Sequence, residues 1–350
     1  MIRLQRSTLK GLRSDQPSLP AMYAVLNQAI ELEHATIPLY LYALYSLDPT
    51  KNKAIADIVL SVVMEEMLHM TLASNVLNAL GGTPVIGGQY FVPSYPGPLP
   101  GGVEHGLTCN LAPFSPAQLD TFLDIEQPED PLDFPTARAF ALDTSITIGE
   151  FYDAISAAIG VLGDGAFVNP PRNQVGPDLM QEAVVVYNVT TAQQAIRTIV
   201  EQGEGTSKSP EEVVGDGYAH YYRFMQIKNG RTLIMNPSGN PPYSYSGEPI
   251  VFDPSGVYSL PTNPKIANYP PGSAQRLACN NFNYTYTSLL SALNSLFNGN
   301  ATSAQMNVAI GLMMSLKGQA KAMMSGIPNP AVLTGPSFEY QPVDPGSAAA

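Results

Sequence analysis

IADIVLSVVMEEMLHMTLASNVLNAL, residues 55–80, decides the fold. The run holds no Pro or Gly, its apolar residues recur at the spacing of a buried helix, and it ends on Gly81-Gly82, a C-terminal glycine stop. In its middle stand Glu66 and His69. Residues three apart on an α-helix share a face, so a carboxylate and an imidazole point together into the interior. Burying such groups is costly unless they are paired or hold a cation. Alone, the two can satisfy each other; with further donors they can share one ion or bridge to a second.

Working outward, residues 20–47 carry Leu26, Ile30, Glu33, Ile37, Tyr40, Leu41 and Leu44 at helical spacing, which places Glu33 inside an apolar stripe. Glu31 shares a more polar face with Asn27, Gln28 and His34, and His34 stays open. Pro38 is expected to kink this helix about one turn beyond Glu33. Residues 83–116, rich in Pro, Gly and Tyr, read as a long ordered loop, and His105 within it as a surface residue. Short helices are expected at 116–125 and 136–140, and a third long helix at 145–162 carrying Glu150. Residues 183–189 (AVVVYNV) read as a short strand, with Thr190 capping a fourth helix over 191–203 that ends in Glu201-Gln202-Gly203-Glu204. His220 lies in a further run, 213–227. Irregular short strands are expected across 236–283, then closing helices at 284–297 and 303–324, the last using Met306, Met313, Met314, Met323 and Met324 as adaptable core filling.

These elements define an all-α chain, a four-helix bundle with long ordered loops, minor short strands and two additional C-terminal helices. It is expected to be a single domain over 1–350, with the bundle core at 18–230, a loop-rich extension at 231–327 and a flexible tail at 328–350. Composition agrees. The 350 residues are 45% hydrophobic and only 13% charged, and 17 Lys+Arg against 29 Asp+Glu give a net charge of −12 with no basic block, which speaks against a nucleic-acid partner. The N-terminus lacks the apolar segment of a signal peptide, and no apolar run is long enough to span a bilayer, so a cytoplasmic protein without membrane association is expected. Cys109 and Cys279 form no Cys-x-x-Cys pair and support neither a zinc finger nor thioredoxin-type chemistry.

The acids and imidazoles on buried helical faces are Glu33, Glu66, His69, Glu150, Glu201 and His220. Four carboxylates and two histidines match the inventory of the dinuclear sites in ferritin-like bundles, and mixed oxygen and nitrogen donors suit iron or manganese better than zinc. Arg223, about one turn from His220, is a candidate to pin Glu66 or to receive a substrate carboxylate. Tyr40 is a candidate for a supporting or radical role.

The strings LEHATIPLYLYALYSL (32–47) and EEMLHMTLASNVLNALGGTP (65–84), continued by IGEFYDAI, EQGEG and HYYRF, resemble the ferritin-like family of iminophenyl-pyruvate dimer synthases. That family includes a domain of the violacein-pathway enzyme that joins two indolepyruvate imines. The resemblance implies metal ligation by Glu33, Glu66, His69, Glu150, Glu201 and His220, with Glu204 as alternative to Glu201, because Gly217 stands where a second Glu-x-x-His would have its glutamate. It implies two Fe ions, with Mn or a single metal as alternatives. The expected function is a metal-dependent oxidoreductase of secondary metabolism that uses dioxygen or a peroxide on a small aromatic, amino-acid-derived substrate, acting as a homo-oligomer or beside a pathway enzyme. A non-catalytic iron-handling protein of ferroxidase type is the alternative, and a scaffold with a vestigial site a third reading.

Overall fold

The two longest apolar runs form α1 (Leu19–Tyr45) and α2 (Lys53–Ala79) in the computed structural model, which describes residues 3–12, 16–101, 107–128, 145–205, 209–211, 217–239, 242–299 and 301–341. Ser18 caps α1 by accepting from the Ala21 amide, and Pro20 sits in the first turn, where no helical amide donor is needed. α1 continues through Pro38, which cannot donate to the carbonyl of residue 34. The connection at 46–52 is short, which makes α1 and α2 antiparallel neighbours. Asn52 closes it by donating to the carbonyls of Asp253 (3.0 Å) and Gly256 (3.1 Å) and accepting from the Asp253 amide (2.9 Å).

α4 (Ile148–Leu162) and α5 (Val189–Glu204) complete the bundle: α1 packs on α2, α2 on α5, α5 on α4 and α4 on α1. Two shorter helices, α3 (Pro116–Glu126) and α6 (His220–Asn229), pack on each other, and α6 also lies against α2 and α5. The hairpin of α7 (Ala274–Asn298) and α8 (Ser303–Ser325) covers the outer side of α2 and α1. Two small antiparallel pairs, β1 (Arg3–Gln5) with β2 (Ser145–Thr147) and β3 (Ile234–Met235) with β4 (Tyr243–Ser244), are the only sheets among the described residues. No helix of the described residues is long and apolar enough to cross a membrane.

Several expectations are corrected. Residues 183–187 form no strand, because side chains take their backbone groups: Asn75 Nδ2 donates to the Val184 carbonyl (2.9 Å) and the Val186 amide to Gln174 Oε1 (2.8 Å). Asn188, not Thr190, caps α5, in a reciprocal capping box with Thr191. α7 begins at Ala274 rather than at 284. Met306, Met323 and Met324 are core residues, whereas Met314 is exposed. Part of the expected tail packs on α7 and α8: the Thr334 amide donates to the Met323 carbonyl, Asn283 Nδ2 to Ser337 Oγ (2.8 Å) and the Gln341 amide to Thr287 Oγ1 (2.9 Å). Gly335 is required there, since a Cβ would fall 2.0 Å from the Tyr42 hydroxyl. The helix expected at 136–140, His105 and residues 342–350 lie outside the described residues.

Candidate metal centre

Glu33 on α1 and Glu66 and His69 on α2 face the bundle interior, as helical spacing requires. Glu126, the last residue of α3, and His220, the first of α6, join them. All five are buried. They form two overlapping groups, Glu33 with Glu66 and His69, and Glu66 with Glu126 and His220; within each, one ligand atom per residue lies within 4.8 Å of the others. Glu66 belongs to both.

The surrounding residues fix which imidazole nitrogen faces the centre. Gln202 on α5 donates from Nε2 to Glu182 Oε2 (2.8 Å), which turns its Oε1 toward His69 Nε2 at 2.9 Å. An amide oxygen only accepts, so His69 carries a proton on Nε2 and presents Nδ1 to Glu33 Oε2, 3.5 Å away. His220 Nε2 lies 3.1 Å from Glu65 Oε2, and its Nδ1 faces Glu66 Oε1 at 3.1 Å and Glu126 Oε2 at 3.4 Å without a hydrogen bond of good geometry. A buried nitrogen that faces two carboxylates at these distances serves as a proton donor paired with them or as a ligand atom beside them. Tyr152 donates its hydroxyl to Glu33, Tyr40 donates to Glu126, and Thr36 Oγ1 donates to Glu66 Oε2 at 3.1 Å. Each outer carboxylate thus has a phenol behind it.

Charge explains why this cluster needs either protons or metal cations. Burial, then the charges of Glu126 and Glu33, push the Glu66 carboxyl up to about 8. Burial alone would lower His220, but Glu126, Glu65 and Glu66 raise it well above the usual imidazole range. Burial likewise opposes the charged form of His69, and Glu33 outweighs it. Glu33 is held below its ordinary value, burial being outweighed by His69 and the Tyr152 hydroxyl. Each uncompensated buried ion costs several kcal/mol, as much as two buried aliphatic side chains return at roughly 1.5–3 kcal/mol each. Packing therefore gives no reason for three carboxylates here. Protons can hold the cluster together; so can two divalent cations, and the donor set fits them.

Beside the cluster is a cavity of about 50 Å³ whose lining combines the polar residues Glu33, Thr36, Glu66, His69, Glu126 and Tyr152 with Leu32, Leu99, Ile125, Ile148, Ile199, Val200 and Gly203. It holds a few water-sized groups.

The structure brings together four of the residues read from sequence, Glu33, Glu66, His69 and His220. It does not bring in Glu150, which occupies the third position of α4: its Oε2 accepts from the Thr147 amide (2.9 Å) while Thr147 Oγ1 accepts from its own amide, a capping box. Glu201 belongs to neither group. The buried face of α5 runs through Ala192, Ala195, Ile196, Ile199 and Gln202, so Gln202 points inward; Glu201, the next position round the helix, is half-buried, and its Oε2 is enclosed without a hydrogen-bond partner. The side chain of Glu204 is outside the described residues. Arg223 does not reach Glu66; its Nη1 pairs with Glu65 at 2.7 Å and with Ser61 Oγ at 3.1 Å. His34 lies elsewhere, its Nε2 2.8 Å from the Tyr286 hydroxyl, and burial lowers it to about 3.

Sequence reading missed Glu126, Glu65, Gln202 and Thr36. Two signals pointed to Glu126: it continues the stripe of Leu119 and Phe122, and it places an acid at a helix C-terminus, where the macrodipole disfavours one. Gly217 also loses its significance. Because α6 starts at His220, position 217 is not helical, and no glutamate there would share the face of His220.

A model of the family described as ferritin-like matches residues 26–229, more than half of the chain. The chain belongs to the ferritin-like family. It is also similar to the crystal structure of a ferritin like protein from Caulobacter vibrioides, with a TM-score of 0.59 and 24% identity over 93% of this chain and 99% of that one, a likeness of fold. No curated protein matches the sequence.

Proposed function

We propose that this chain is a dinuclear metal-dependent oxidoreductase that uses iron and reacts with dioxygen or a peroxide. The observation that carries the reading is the position of Glu66, common to two buried ligand groups that each contain an outer carboxylate and one imidazole Nδ1. Glu33 and His69 would hold one ion, Glu126 and His220 the other, with Glu66 between them. Iron in such a site supplies one-electron redox steps and a binding place for the oxidant. The protein's own groups do the rest. Thr36 fixes the free oxygen of Glu66, Tyr152 and Tyr40 hold the outer carboxylates in orientation and have protons to give at their hydroxyls, and the aliphatic wall of Leu99, Ile148, Ile199 and Val200 limits water.

The motif resemblance supports a substrate of the aromatic imine type, oxidised or coupled as part of secondary metabolism. The cavity qualifies this: at about 50 Å³ it takes the oxidant but is far below the roughly 300–1,000 Å³ of sites that enclose drug-sized ligands. An aromatic substrate therefore reacts at a site that widens on binding, or by electron transfer through the wall. The same dimension favours a second reading, a ferroxidase-type protein whose substrate is Fe(II) itself.

Metal analysis of protein purified without chelator tests the shared basis, with two metals per chain expected and Glu66→Ala reducing both. Oxygen uptake by the Fe(II)-loaded protein, with and without aromatic imino acids, separates the readings: uptake that ends with one oxidation of the bound iron and restarts only with more Fe(II) identifies iron handling, whereas sustained uptake dependent on the organic substrate and a reductant identifies the enzyme.

A further inference from the structure

The two imidazoles are anchored by chemically different groups. His220 gives its Nε2 side to a carboxylate, Glu65, which is itself locked by Arg223 at 2.7 Å, and Arg223 is held by the Tyr218 carbonyl (2.5 Å) and Ser61. His69 gives its Nε2 proton to a neutral amide, Gln202, whose further partner Glu182 is exposed. A carboxylate acceptor draws the imidazole proton more strongly than an amide and makes the opposite nitrogen a better donor to a metal. His220 Nδ1 also has two carboxylate oxygens within 3.4 Å, whereas His69 Nδ1 has Glu33 at 3.5 Å. Finally, the cavity wall includes all of Glu33, Glu66 and His69, whereas of the other group it includes Glu66 and Glu126 but not His220.

We propose that the two metal positions are inequivalent and that Glu65 and Gln202 make them so: the position of Glu66, Glu126 and His220 fills first and tightly, and that of Glu33, Glu66 and His69 fills second and exchanges through the cavity. The proposal rests on the two-metal reading above. Glu65 and Gln202 act as positioning residues, through the imidazoles.

The test is an anaerobic titration of the metal-free full chain with Co(II), followed by calorimetry and by the visible absorption of the bound ion. Two steps are expected, at least about tenfold apart. His69→Ala should keep the tight step and lose the weak one, and His220→Ala the reverse. Glu65→Gln should weaken the tight step by about 10–100-fold, the usual effect of removing such an anchor. Gln202→Glu, made together with Glu182→Gln so that the new carboxylate keeps a donor on its far side, should tighten the weak step by about tenfold or more relative to Glu182→Gln alone, a gain that misfolding cannot imitate. Absence of Co(II) binding to the unaltered protein would overturn the two-metal reading and this proposal together. Two ions bound with equal affinity, loss of the tight step in His69→Ala, or a weak step indifferent to Gln202→Glu in the Glu182→Gln background would overturn the inequivalence alone.

Discussion

Glu65 and Glu66 are neighbours in the chain yet meet opposite nitrogens of one imidazole: Glu65 Oε2 lies 3.1 Å from His220 Nε2, and Glu66 Oε1 lies 3.1 Å from His220 Nδ1. Consecutive helical residues diverge by about 100°, and the start of α6 places the ring across that angle. One of the two carboxylates faces the centre; the other faces Arg223 and holds the ring.

Replacing Glu66 separates binding from folding. Glu66→Gln keeps the shape and the Thr36 contact but removes a carboxyl that burial and like charge push up to about 8. Metal content should fall by half or more, while the metal-free variant at pH 9 should melt a few degrees higher than the parent, about the effect of 1 kcal/mol in a chain of this size. Metal analysis and calorimetric melting check both.

Metal uptake should depend on pH with a definite sign. Below about 8 the Glu66 carboxyl holds a proton that a metal must expel, and His69 and His220, raised by their glutamates, do the same. Affinity should rise with pH by about tenfold per unit for each proton released, levelling for Glu66 above 8. For the metal-free protein the unfolded carboxyl ionises first, so the contribution of Glu66 to stability falls as pH rises from its ordinary value to about 8. Titrations in two buffers of different ionisation enthalpy would count the protons.

Three glutamates should behave differently. Glu126→Ala is expected to lose the metal held with His220. Glu150→Ala should keep both metals and destabilise the chain by about 1 kcal/mol through the loss of its capping box. Glu201→Ala should keep both metals. Metal counts beside denaturant melts distinguish the three.

Filling the cavity should slow the oxidant without expelling the metals. Ile199→Trp adds bulk to the cavity lining that Ile199 shares with Glu33 and His69. Stopped-flow oxidation of the Fe(II)-loaded variant should be at least about tenfold slower at unchanged metal content; an unchanged rate would place the oxidant's entry elsewhere.

His34 supplies a test remote from the metals. Its pKa is lowered by burial to about 3, so it folds neutral and takes up a proton on unfolding. Its contribution is complete above its ordinary value near 6.5 and is lost as pH falls toward 3. His34→Gln should make the stability profile over that window shallower by up to about 1.4 kcal/mol per pH unit.

Much of the bundle was legible because a buried helix writes a period into its own residues. α1 and α2 were read nearly to their ends, and with them Glu33, Glu66 and His69, since a polar residue in an apolar stripe is visible without any partner. Residues 183–189 misled for the complementary reason: a β-rich run specifies extended backbone, but a sheet needs a second strand, and here the side chains of Asn75 and Gln174 took the hydrogen bonds. Glu150 misled because a helix's third position is both inward-looking by count and the natural place for a cap.

The sequence by itself determined the long helices, their amphipathic faces and the geometry within one helix that pairs Glu66 with His69, because these follow from local periodicity and side-chain direction. Only the tertiary structure placed Glu126 in the cluster, set Glu65 and Gln202 against the two imidazoles, and put Glu66 in both groups. Those relations join α1, α2, α3, α5 and α6 across the bundle interior, and the distance between helices is set by packing of the whole chain, which no single helix encodes.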